Sequence, residues 1–151
     1  MKKTFLLFAL IFIFLFHGCS SVSMEKPPAL TITYNDNSIE ALRGAYSWHH
    51  SEKITSVDAL HALQSKELMP YLNKAPSTDC AILKFAVEPQ SILVRRWGEE
   101  SWGDISAKCE YITIEANTLP LTHGNYIYEI SANFGPSGTA NYSFYTSIDK
   151  G

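Results

Sequence analysis

Apolar and polar residues alternate through most of this chain, and turn residues break the alternation into short segments. Leu30-Thr31-Ile32-Thr33-Tyr34 comes first. Its period of two predicts a strand with one buried face and one wet face. Asn35-Asp36-Asn37-Ser38 is turn chemistry. Residues 39–48 then read as a second extended segment, with Gly44 marking a bulge. Further strands are predicted over 80–87, 91–97 and 110–115. In 91–97, Ile92, Val94 and Arg96 oppose Leu93, Arg95 and Trp97. The strongest signal is a hairpin near the C-terminus. Tyr126, Tyr128, Ile130, Ala132 and Phe134 hold one parity, and Ala140, Tyr142, Phe144 and Ile148 hold the matching parity after the turn Gly135-Pro136-Ser137-Gly138. One helix is predicted. Thr55 to Asp58 forms a capping-box variant, Leu60, Leu63 and Leu68 share a side, and Pro70 stops it.

About seven short strands in roughly 120 residues predict an all-β protein, an immunoglobulin-like antiparallel β-sandwich with one short helix. A small barrel is the alternative.

The amino-terminal pattern differs. Lys2 and Lys3 precede an apolar run from Phe5 to Phe16, followed by Gly18-Cys19-Ser20-Ser21. A positive start and a short apolar segment read as a secretory signal peptide, and the run of about a dozen residues is too short for a permanent span. Gly18-Cys19 resembles the lipobox of bacterial lipoproteins. The resemblance implies a diacylglycerol on Cys19 and cleavage before it. The expected organisation is a signal peptide over 1–18, a lipidated tether over 19–28 and a β-sandwich domain over 29–151. The expected location is the extracytoplasmic face of the cell membrane, held by lipid. Each buried methylene adds roughly 0.8 kcal/mol, so two or three acyl chains hold where one would not.

The chain of 151 residues carries 12 Lys+Arg and 15 Asp+Glu, a net of −3. Removing Lys2 and Lys3 with the signal leaves 10 against 15, or −5. An acidic surface does not favour nucleic acid. Cys80 and Cys109 remain after Cys19 is assigned to lipid. An even pair in an oxidising compartment suggests a disulfide. Closing a loop of about 30 residues would stabilise by roughly 3–4 kcal/mol. Two separate thiols are the other reading.

Little in the chain carries recognisable chemistry. It has no Gly-x-Ser-x-Gly elbow, no His-Glu-x-x-His and no glycine-rich phosphate loop, so no enzyme, metal or cofactor is expected. His49 and His50 are adjacent on a strand and point to opposite faces, so only one could join His61. Trp48 and Trp97 are expected in the core. Trp102 lies in the charged loop Gly98-Glu99-Glu100-Ser101-Trp102-Gly103-Asp104 and is the candidate exposed contact residue. Its replacement by Ala is expected to leave folding intact. His49, His50 and Arg96 complete the ligand-binding candidates. Arg96 is chosen because a guanidinium recognises carboxylate or phosphate through paired hydrogen bonds.

Ala41-Leu42-Arg43-Gly44-Ala45-Tyr46-Ser47-Trp48 looks like a signature of small exported lipoprotein modules in Gram-positive bacteria of the Bacillus and Clostridium kind. Val57-Asp58-Ala59-Leu60-His61, Val94-Arg95-Arg96-Trp97, and Tyr126-Ile127-Tyr128-Glu129 with Gly138-Thr139-Ala140-Asn141-Tyr142 follow in the same order. The likeness runs over about residues 38–146. It implies an immunoglobulin-like domain and an extracytoplasmic setting, and no established activity. The expected function is a non-enzymatic binding or sensing module of the cell envelope. Its partners would be the membrane, through the lipid, and an envelope protein or small ligand. The alternative is an accessory lipoprotein that scaffolds a membrane complex.

Overall fold

In the computed structural model, which describes residues 24–35, 37–73 and 80–148, the alternating segments pair into two sheets. The smaller has the order β2-β1-β6-β9, with β1 at Leu30–Tyr34, β2 at Asn37–Glu40, β6 at Cys80–Phe85 and β9 at Thr118–Pro120. The larger has the order β4-β3-β11-β10-β7-β8. Its members are β3 (Leu42–His50), β4 (Lys53–Val57), β7 (Ser91–Gly98), β8 (Glu110–Ile112), β10 (Gly124–Asn133) and β11 (Gly138–Ile148). All of these pairs are antiparallel. A short β5 (Tyr71–Asn73) adds in parallel to the far half of β11. The protein is therefore all-β with two antiparallel sheets and few helices.

The C-terminal hairpin forms as its alternation predicts. β10 and β11 pair from Gly124↔Ile148 to Asn133↔Thr139, around a 3-10 turn at Gly135–Ser137. Gly138 permits this. Its φ is +121°, and a Cβ there would lie 2.0 Å from the Ser47 carbonyl oxygen. Only glycine tolerates both conditions. The predicted bulge also appears. Ala140 faces Tyr46 while Tyr142 faces Arg43, so β3 carries one extra residue across Gly44-Ala45.

The main core lies between the sheets. Leu30, Ile32, Tyr34, Ala81, Leu83 and Phe85 of the small sheet meet Trp48, Tyr128, Ile130, Phe134, Tyr142 and Phe144 of the large one. Phe85 ties the layers, edge-on to Phe134 at 5.8 Å and to Tyr142 at 5.7 Å. Each such side chain contributes about 1.5–3 kcal/mol on burial.

Four expectations change. First, the extended segment 39–48 is two strands. The chain leaves the small sheet after Glu40 and enters the large one at Leu42. Ala41, buried, donates its N–H to the Leu30 carbonyl at 2.9 Å. Second, no α-helix spans 55–70. Thr55 pairs with Trp48 inside β4, because Ile54, Thr55 and Val57 are β-branched and suit a pleated ribbon. The helical residues shrink to 3-10 turns at Ala62–Gln64 and Lys66–Leu68. Between them the buried Ser65 turns its hydroxyl back onto the His61 carbonyl at 3.0 Å.

Third, packing begins before Ala29. Pro27 and Pro28 are buried and Met24 is partly so. Trp48 Nε1 donates to the Met24 carbonyl at 2.7 Å, and the Tyr142 hydroxyl donates to the Pro28 carbonyl at 2.6 Å. The end of the expected tether belongs to the folded body. Residues 1–23, including the signal peptide and Cys19, lie outside the described residues. Fourth, Cys80 and Cys109 are free thiols. Cys80 opens β6 opposite Pro120 in the small sheet, and Cys109 immediately precedes β8 in the large one. A disulfide needs Cα atoms within about 7 Å, but Cys109 packs into the outer apolar cluster of the large sheet, on the face turned away from the small sheet that carries Cys80.

Candidate functional site

Strand pairing sets the outer face of the large sheet, the one turned away from the main core. Residues directly opposite on neighbouring antiparallel strands share a face. Two rows follow. Trp97, Ile127 and Tyr145 form one, and Arg95, Glu129 and Ser143 form the next.

The first row is covered. Ala62 and Leu63 press onto Trp97 and Ile127, with Met69, Trp102, Ala107, Cys109 and Tyr145 packed around them as a second apolar cluster. The covering pieces are tied together: Trp97 Nε1 donates to the Ala107 carbonyl at 3.1 Å, and Gly103 N–H donates to the Leu63 carbonyl at 2.8 Å. Asp104 accepts from the Ser106 amide and hydroxyl, and these bonds hold its carboxyl below the ordinary carboxylate range.

The second row floors a recess of about 220 Å³. Glu129, Asn141 and Ser143 line its base, the bulge at Gly44-Ala45 forms one wall, and the crossing segment Ala59-Leu60-His61-Ala62 forms the other. Glu129 is only 7% exposed. Arg95 Nη1 meets its Oε1 at 3.2 Å, and Arg95 Nη2 donates to Ser131 Oγ at 2.9 Å. A carboxylate this buried needs such a partner. His61 Nδ1 accepts the Leu63 N–H at 3.2 Å, which places the ring proton of the neutral imidazole on Nε2. The His61 ring stands edge-on to Trp97 at 5.6 Å.

The residues singled out from sequence do not converge. Trp102 is half-buried on the outer face. Its ring lies 5.9 Å from Tyr145, and Lys66 Nζ sits 5.7 Å from it. Tyr145 in turn stacks on Tyr71 at 5.3 Å. Burial first, and then the carboxylate of Glu99, push the Tyr145 hydroxyl up to about 12. Trp102 is thus part of a packed stack rather than a freely presented side chain. Arg96 points the other way, opposite the buried Tyr128. Its guanidinium meets Glu110 at 2.5 Å and Thr122 at 2.5 Å, and lies 4.5 Å from the Tyr126 ring. Burial alone would lower its pKa, but the neighbouring Tyr128 and the bonded Glu110 raise it on balance. His49, exposed, and His50 sit at the end of β3 opposite Ile54 and Lys53. Trp48 and Trp97 are buried, one in each apolar cluster.

Glu129 was the residue that sequence reasoning passed over. The available signal was charge: in Gly124–Asn133 it is the only ionisable acid or base other than tyrosine, in the middle of a central strand. Among the described residues no three His, Cys, Asp or Glu side chains are placed to hold a metal. Comparison with known protein families, with curated proteins and with solved structures found no match in any of the three.

Proposed function

We propose that this chain is a non-enzymatic binding module of the cell envelope, an immunoglobulin-like sandwich of the small exported lipoprotein type, moored outside the cytoplasmic membrane by lipid on Cys19. The observation that carries the binding reading is the ready-made recess over the buried, paired Glu129 on the outer face of the large sheet. Polar side chains gathered at the base of a concave site with apolar walls are the usual make-up of a small-ligand pocket. The mooring reading rests on Lys2, Lys3, the apolar run and Gly18-Cys19.

A thermal-shift screen of amines, carboxylates, sugars and short peptides tests the binding reading. A ligand of the recess raises the melting temperature of the native domain by linkage and leaves that of Ala45→Leu unchanged. If no compound of any class shifts the native protein, the binding reading fails. Mass spectrometry of the membrane fraction tests the mooring, which requires an acylated Cys19 as the first residue. The scaffold reading draws on Ile54, Val57 and Leu60, exposed apolar residues on and just beyond β4. Crosslinking from this edge to one membrane protein, with no ligand found in the screen, would favour it.

A further inference from the structure

We infer that the recess takes a primary ammonium group carried on a short aliphatic stem. This rests on the binding reading above and names the ligand chemistry for the same site.

Charge selects the class first. The lining contains one carboxylate, Glu129, and no Lys or Arg. Both terminal nitrogens of Arg95 are engaged, one by Glu129 and one by Ser131. His61 has its Nδ1 occupied as an acceptor of the Leu63 N–H. An anion entering here would meet the Glu129 carboxylate, and the Arg95 guanidinium beside it is already paired with that carboxylate. A carboxylate offers about four lone-pair sites, so Glu129 can accept from Arg95 and from a second cation together. Because Glu129 is buried, water screens that attraction less than it would at the surface.

Shape narrows the class. The walls are Gly44, Ala45, Ala59, Leu60 and Ala62, small or aliphatic. They suit methylenes. The space is below the range of about 300–1,000 Å³ typical of pockets for drug-sized ligands, so it fits one side chain rather than a sugar chain. Hydrogen bonding decides between kinds of cation. A quaternary ammonium is recognised by an aromatic cage, and the Tyr142 ring is turned into the main core instead. A primary ammonium has three N–H donors, and Glu129, Asn141 and Ser143 supply acceptors at the base. A free amine and a lysine side chain both present this head on such a stem.

The test uses the native domain labelled for amide NMR, titrated with n-pentylammonium, N-acetyl-lysine methylamide, N,N,N-trimethylpentylammonium and pentanoate. The first two should shift the amides of Ala45, His61, Glu129 and Ser143, and the last two should leave them in place. A preference for pentylammonium would identify a free amine as the source, and a preference for the lysine amide would identify a peptide. Glu129→Gln, which keeps the shape and an acceptor for Arg95, should weaken binding by about tenfold or more. Ala45→Leu should abolish it with the fold retained. Equal binding of pentanoate, equal binding of the trimethyl compound, or no binding of either primary amine would overturn the inference. Should Glu129→Gln fail to fold, the probe selectivity and Ala45→Leu still decide. A hit from another ligand class in the thermal screen, with both amines silent, would sink the ammonium assignment and leave the binding reading standing.

Discussion

Trp102 sits between a ring and an ammonium: Tyr145 packs near it and Lys66 lies over it. The local sequence, glycines and acids, describes a solvated loop, and nothing in it says that Leu63 will dock against the same cluster. That docking is tertiary, which is why the residue reads as exposed until the fold is known. Trp102→Ala should therefore lower stability by about 2–3 kcal/mol, below the range for a fully buried tryptophan because the side chain is only partly buried. The midpoint of urea unfolding checks this, and an unchanged midpoint would return Trp102 to the surface. Trp48 and Trp97 were legible as core residues because each stands in an alternating strand. The cysteines were not legible as partners. Parity gives the face of a residue, whereas a disulfide depends on which strands become neighbours.

Among the elements, the β10–β11 hairpin was readable almost residue by residue, since its apolar parity persists over both strands and the turn residues fix the register. Gly138 is its critical position. Gly138→Ala should cost more than about 1 kcal/mol, because the added methyl strains the backbone and meets the Ser47 carbonyl at 2.0 Å. Equilibrium denaturation would show the loss, and a neutral result would mean that β3 can move aside. The segment 55–70 misled for a physical reason. Its leucines are spaced for a helix, but Ile54, Thr55 and Val57 gain a strand partner in β3 first, and the remainder is too short to propagate. The recess over Glu129 could not be read from sequence at all. It arises where this segment crosses β10 and β11, more than 60 positions away in the chain.

At the scale of the whole molecule, Tyr142 in the core between the layers and Tyr145, partly buried on the outer face, carry hydroxyls whose ionisation opposes folding. Desolvation pushes the Tyr142 hydroxyl up to about 12, and Tyr145 reaches about 12 through burial and Glu99. The unfolded chain ionises these groups near 10 while the native one keeps them protonated. The native state then binds more protons, so stability falls as pH rises from about 10 towards about 12. Replacing Tyr145 by Phe should flatten that decline in melting temperature measured across this window. A slope unaltered by the replacement would show that Tyr145 titrates normally.

The clasp formed by Trp48 on Met24 and by Tyr142 on Pro28 has a mechanical consequence. A force arriving from the amino-terminal side meets the large sheet at these two hydrogen bonds before it reaches β1 in the small one. The load is shared across both layers at entry, so the domain resists being unzipped strand by strand from that end.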